Sequence, residues 1–160
     1  MKLKIATALL VLFSLVVFQG RCQHGGFDKS TFYRVLESGT MDEMDAQIGL
    51  VKASSLAEKE AYEGTLLMKK AALVAKPKSK LDLFKAGRLK LEASISKNGD
   101  NVEYRFLRLI IQENAPKILK YRNELEEDAG LIQKNFRGLQ PFLQQQIADY
   151  SKKSKVLKIP

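Results

Sequence analysis

An all-α domain is the fold class this sequence predicts, on three observations. After residue 22 there is no alternating Val/Ile/Thr run of the kind a half-buried strand needs, and no Asn-Gly turn between such runs. Helix-start signatures recur along the chain, at Thr40, Ser55 and Asp100. Apolar residues return at threes, fours and sevens rather than at twos. Short connections between the segments favour antiparallel neighbours, so the expected architecture is a stack of about seven antiparallel helices, a helical-hairpin bundle or short solenoid.

The first helix is expected over residues 30–38 and stops at Gly39. The second, 41–53, opens on Thr40-Met41-Asp42-Glu43, where the threonine caps the third amide and the acid reaches back to the cap. Ser55-Leu56-Ala57-Glu58 has the same form and predicts a third helix over 55–75, ending before Pro77. Small residues punctuate it (Ala57, Ala61, Gly64, Ala71, Ala72) and let another helix approach closely. Ser79 with Asp82 is a weaker start for a fourth helix over 79–97, which stops at Asn98-Gly99. Asp100-Asn101-Val102-Glu103 begins a fifth over 101–115. Pro116 and Pro141 suit first-turn positions, where a missing amide leaves nothing unpaired, and so open a sixth helix over 117–137 and a seventh over 141–155. Ile118, Leu125, Ile132, Phe136 and Leu139 form the apolar face of the sixth; Phe142, Leu143, Ile147 and Tyr150 form that of the seventh. The fifth differs: Val102, Tyr104, Phe106, Leu107, Leu109, Ile110 and Ile111 cover more than half of its circumference. A helix apolar on most sides is packed on most sides, so it belongs in the centre.

The chain opens with Lys2 and Lys4, then an apolar run from Ile5 to Phe18 broken only by Thr7 and Ser14, then Gly20-Arg21-Cys22. That is the layout of a secretory signal peptide cleaved between Cys22 and Gln23. The run falls short of the about 20 residues that span a bilayer. The expected organisation is a signal peptide over 1–22, a flexible mature N-terminus over 23–29 and one helical domain over 30–157. The protein is then exported, to a periplasm or the extracellular space. Arg21 stands where lipoprotein processing needs a small uncharged residue, which argues against lipidation of Cys22. Cys22 is the only cysteine, so no intramolecular disulfide forms.

Gly87, Leu91, Ser94 and Ile95, followed by Gly99-Asp100-Asn101, resemble the small-large-small-aliphatic spacing and the Pro-Asp-Asn turn of a tetratricopeptide-repeat boundary. The likeness is confined to residues 84–112 and fails where Arg105 and Arg108 fall on positions that family fills with aromatic and apolar side chains. It implies a stack of hairpins similar to such repeats rather than a true array. Asn101 to Pro116 also resembles small exported helical proteins of unknown function from bacteria, which implies a compact secreted helical protein and no activity.

Charge is uneven. Residues 27–68 carry 4 positive and 8 negative side chains, a net of −4, whereas residues 69–90 carry 8 and 1, a net of +7. Lys69, Lys70, Lys76, Lys78 and Lys80 cross the turn at Pro77 and are expected to form an exposed basic surface. Such a surface can hold anionic lipid or an acidic partner, although charge runs are usually just solvated, as is the lysine tail after residue 151. Export makes nucleic acid an unsuitable client. The block has no interleaved aromatics and export leaves many anionic inner-leaflet targets behind, so vesicle binding near physiological salt is not expected.

The inventory leaves little chemistry. His24 is the only histidine and stands near the start of the mature chain, so no Ser-His-Asp or Cys-His set and no zinc ligand group can assemble. No cofactor motif is present, and no metal site is expected. Glu103 and Glu113 lie within the apolar arc of the fifth helix, where burial could tune an acid, but capping explains the first and a last-turn position the second. Glu124, Glu126, Glu127 and Asp128 lack calcium-loop spacing and read as a solvated face. Arg105, Arg108 and Gln112 share one stripe, and two guanidiniums there can clamp a carboxylate or phosphate of a partner. The competing account pairs them internally with Glu124 or Asp128. The expected function is therefore a non-enzymatic exported module that binds an unidentified protein partner. Peripheral attachment to anionic membrane is the alternative, and a carboxylate-dependent enzyme comes third.

Overall fold

The computed structural model describes residues 26–159. Among them are seven α-helices and no strand: α1 (Lys29–Ser38), α2 (Met41–Ala53), α3 (Lys59–Leu73), α4 (Pro77–Lys97), α5 (Val102–Asn114), α6 (Leu125–Asn135) and α7 (Pro141–Ser151). They pack into an all-α bundle. Short 3-10 turns occupy Lys117–Leu119 and Phe136–Gly138. The expected signal segment, its Cys22–Gln23 junction and His24 lie outside the described residues.

Local chemistry sets the boundaries. Asp28 caps α1 by accepting the Thr31 amide at 2.8 Å. The predicted box at α2 is complete: Thr40 Oγ1 accepts from the Glu43 amide at 3.3 Å, and the Glu43 carboxylate accepts from the Thr40 amide at 2.9 Å. The box expected at Ser55 does not form. Ser54 instead donates its hydroxyl to the Val51 carbonyl at 2.7 Å, closing α2, and α3 begins four residues later than its predicted start at 55. Pro77 opens α4 rather than ending α3, because its fixed φ and missing amide suit a first turn. Asn101, not Asp100, caps α5 through the Tyr104 amide at 3.1 Å.

The largest departure is at the sixth helix. Lys120 takes a left-handed conformation, φ 46°, which no continuing helix can absorb. The break lets Tyr121 turn inward against the edge of Phe84 at 5.7 Å, under the Arg88 guanidinium at 4.6 Å. Burying that ring outweighs extending the helix, and Ile118, expected on an apolar face, is left 87% exposed. The seventh helix also stops early, at Ser151. The tail after it is not a frayed end: Ser154 accepts the Leu157 amide at 2.8 Å, and Leu157 is fully buried.

The core runs through α5, as its wide apolar arc requires. Nine of its thirteen residues are buried, Arg108 and Gln112 among them. Helices α3 and α4 make the most extensive pair, crossing at Gly64 and Gly87 so closely that a Cβ on Gly64 would stand 2.6 Å from the Gly87 carbonyl oxygen. At the N-terminal end Phe27, within the stretch expected to be flexible, stacks on Tyr62 with ring centroids 5.3 Å apart.

Candidate functional site

The arginine stripe is structural. Asp128, fully buried on α6, accepts from Arg108 Nε through one oxygen and from Arg108 Nη2 through the other, both at 2.7 Å. Arg105 Nη1 adds a third bond to Asp128 at 3.1 Å and reaches Glu127 at 2.9 Å, while its Nε donates to the Gly99 carbonyl at 2.7 Å. Arg108 Nη1 donates to Glu92 at 2.9 Å, and Gln112 Nε2 donates to Glu124 at 2.5 Å. Burial opposes the charge on Arg108, but Asp128 and Glu92 outweigh it and hold the guanidinium above its ordinary pKa. Burial pushes the Asp128 carboxyl up, against the pull of the two guanidiniums. Arg105, Arg108 and Gln112 are thus engaged internally, tying α5 to α6 and, through Glu92, to α4. Of the acids read as a solvated face, Glu127 and Asp128 are counter-ions of the arginines and Glu124 accepts from Gln112, while Glu126 is exposed.

The five lysines do not form one surface. Lys69 and Lys70 are half-buried and turn toward the first two helices, Lys69 donating to the Glu37 carbonyl at 3.2 Å and Lys70 pairing with Asp45. Lys76, Lys78 and Lys80 are exposed around the start of α4.

Lys69 leads instead to an open cleft of about 400 Å³ that no sequence motif announced. Tyr33 of α1, Phe106 of α5 and Tyr150 of α7 form its floor. The rings of Tyr33 and Phe106 stack with centroids 6.1 Å apart, and Tyr150 meets Phe106 edge-on at 5.7 Å. Leu36 and Ile110 complete the apolar part, and Glu37, Lys69, Asp149, Lys153 and Lys155 stand around it. Burial, reinforced by the neighbouring charge of Lys153, holds the Lys69 ammonium below the usual lysine range. Among the described residues no carboxylate lies within ion-pair distance of it, since Glu37 gives its carboxylate to Lys153.

The wall opposite is organised by Glu113. It accepts from the Tyr150 hydroxyl at 3.0 Å, from the Ser154 hydroxyl at 2.8 Å and from the Lys155 amide. A carboxylate read as able to bend to solvent is therefore the hinge pin on which the C-terminal tail folds back. Glu103 is equally committed: it accepts from the hydroxyls of Tyr33 and Tyr62, each at 3.0 Å, and from Lys29 at 2.8 Å. Burial first, and then the charge of Glu103, raises both phenols far above their normal pKa, so they serve as donors throughout the physiological range.

Among the described residues no group of three His, Cys, Asp or Glu side chains is placed to hold a metal ion, and no helix is long and apolar enough to cross a membrane. The chain matches no protein-family model, no curated protein and no solved structure. What the cleft can do rests on its own residues: an apolar aromatic floor beside a partly desolvated cation suits a group that is apolar at one end and anionic at the other.

Proposed function

We propose that this chain is an exported, non-enzymatic helical binding protein that receives a segment of a partner protein in the cleft between α1, α5 and α7. The observation that carries the reading is Lys69, a half-buried ammonium without a carboxylate partner beside the Tyr33–Phe106–Tyr150 floor. Keeping a charge there uncompensated costs stability, and a partner carboxylate next to an apolar side chain would recover that cost on binding. The helical-hairpin likeness around residues 84–112 supports the reading by analogy only, since stacked hairpins offer grooves to extended partners. Binding is favoured over acid–base catalysis because Glu103 and Glu113, the carboxylates nearest such a role, already accept from three donors each.

The test is a photo-crosslinking pull-down from the native envelope with a reactive group at Gln146 on the cleft rim. The reading expects a discrete protein partner, captured by the parent chain and lost on Lys69→Glu while circular dichroism is unchanged. Capture that survives Lys69→Glu, or a crosslinker at Gln146 that finds no protein, would overturn it. N-acetylphenylalanine, which carries a ring and a carboxylate, should shift the amide resonances of Tyr33, Phe106 and Lys69 and leave those of α4 in place.

A further inference from the structure

We infer that the outer face of α4, together with the turn at residues 117–120, docks on an anionic phospholipid bilayer. This surface is separate from the cleft, to which α4 contributes no residue.

Two observations coincide there. The first is where the large exposed apolar side chains are: Leu81 and Leu89 lie on α4 itself, 40% and 73% exposed, and Ile118, 87% exposed, projects from the turn. Leu73, at the end of α3 just before α4, is the fourth among the described residues, so none of these four belongs to α1, α2, α5, α6 or α7. The second is the state of the lysines. Among the described residues Lys29, Lys70, Lys90, Lys152 and Lys153 each hold a carboxylate, while Lys52, Lys59, Lys69, Lys97, Lys134, Lys155 and Lys158 hold none and are scattered over the chain. Lys76, Lys78, Lys80, Lys85, Lys117 and Lys120 are exposed, and none has an ion-pair partner among the described residues.

Helical geometry interleaves the two sets. Lys78, Leu81, Lys85 and Leu89 stand three, four and four residues apart, which puts them in one row on α4. Tyr121 fastens the turn to that helix, with its ring against Phe84 and Arg88 and its hydroxyl donating to Glu92 at 2.5 Å. Ile118 is three residues away, so it lies within about 10 Å of the Tyr121 backbone. Lys117 and Lys120 flank it. The first turn of α4 contains no acid, and Lys76, Lys78 and Lys80 crowd its positive end, where the helix dipole repels them. A fold gains nothing from that placement; a surface that must attract phosphate does.

The arrangement fits a bilayer better than a protein. Protein interfaces bury a central cluster with aromatic or arginine anchors and are depleted of lysine. Here each aliphatic tip is bracketed by lysines, whose stems can lie along the apolar boundary while their heads meet phosphates. The sequence-based expectation against vesicle binding rested on the absence of aromatics and on export away from inner-leaflet targets; Leu81, Leu89 and Ile118 answer the first by supplying the apolar component another way.

The experiment is cosedimentation of the full chain with vesicles of phosphatidylcholine alone or mixed with phosphatidylglycerol, beside variants sharing its N-terminus. Binding is expected only with phosphatidylglycerol and should weaken steeply with added salt. A lysine near such a surface is worth about fivefold in affinity, so Lys78→Glu with Lys85→Glu should lower binding by at least about 25-fold. Lys52→Glu with Lys134→Glu, the same charge change on α2 and α6, should lower it far less. Because the chain has no tryptophan, Ile118→Trp adds a single reporter whose emission should shift to the blue on binding. These positions are exposed, and unchanged circular dichroism checks that each variant folds. Failure of the parent chain to sediment at low salt would overturn the inference. So would equal losses from the α4 and control reversals, an unshifted Ile118→Trp spectrum, or capture of an acidic protein by this face without vesicle binding. None of these outcomes touches the cleft, whose test depends on Lys69.

Discussion

The α3–α4 and α5–α6 pairs are both long antiparallel contacts next to the core, and they are held together by opposite means. Between α3 and α4 the backbones themselves approach, with Gly64 facing Gly87, and the charge beside them is one lysine, Lys90, that meets the exposed Glu60 at 2.6 Å and the buried Glu63 at 3.2 Å. Between α5 and α6 the charges are inside, with Asp128 fully buried under two guanidiniums. The first seam is cheap to desolvate and intolerant of added volume. The second tolerates no loss of a partner, because Arg108 and Asp128 were taken out of water on the condition that each have the other.

Breaking the second seam should have the larger effect. Asp128→Ala leaves Arg108, whose side chain is 5% exposed, with only Glu92 for company. Removing one partner of a buried pair costs about 3–5 kcal/mol, against a usual domain stability of about 5–15 kcal/mol. Urea titration should show that loss, and the double variant Asp128→Leu/Arg108→Met should recover much of it by removing both charges. A loss from Asp128→Ala no larger than a surface substitution would mean that water already reaches the network.

The first seam should answer to size instead. A Cβ on Gly87 would meet the Gly64 carbonyl oxygen as well as Met68 Cγ at 2.8 Å and the Met68 amide at 2.9 Å. Two of those atoms are backbone and cannot swing away. Gly87→Ala should therefore cost about 1–3 kcal/mol through overpacking, despite alanine's better helix propensity. Gly130→Ala in the middle of α6, where nothing lies within 4 Å, is the control. There the propensity gain of up to about 1 kcal/mol should appear unopposed. Stabilisation by both would show that the α3–α4 crossing has room to spare.

What could be read from the sequence follows the same division. Local chemistry was readable: the Thr40–Glu43 box, the wide apolar arc that centres α5, and the small residues that let α3 accept a close neighbour. Errors arose where a local signal competed with burial elsewhere. Ser55 matched a box, but Ser54 closed α2 first; Ile118 fitted a helical face, but burying Tyr121 against Phe84 broke the helix. The cleft was out of reach for a different reason. Tyr33, Lys69, Phe106 and Tyr150 come from four helices with no fixed spacing, so only packing brings them together. For Arg105 and Arg108 the stripe was visible and so was Asp128 as an internal partner; the depth of α5 decided between the two accounts.

The smallest expected effect sharpens the contrast from the rim. Hydrogen bonds from Lys90 hold Glu60 below its usual pKa, and hydrogen bonds to Glu60 hold Lys90 above its own. An acid depressed in the fold contributes stability above its unfolded pKa of about 4.3, lost as pH falls through the lower folded value. A lysine raised in the fold contributes below its unfolded pKa of about 10.4, lost as pH climbs through the higher folded value. The pair thus acts across the whole neutral range and fades at both ends. Both side chains are substantially exposed, so its worth should be about 0.2–1 kcal/mol and screened by salt. Glu60→Gln, which leaves the Lys90–Glu63 contact in place, should lower the urea midpoint slightly at neutral pH and low salt, and the difference should fade as pH falls below the unfolded value of about 4.3. A loss from Glu60→Gln as large as that from Asp128→Ala, and indifferent to salt, would mean that the α3–α4 seam depends on its charges after all and that the two helix pairs are built alike.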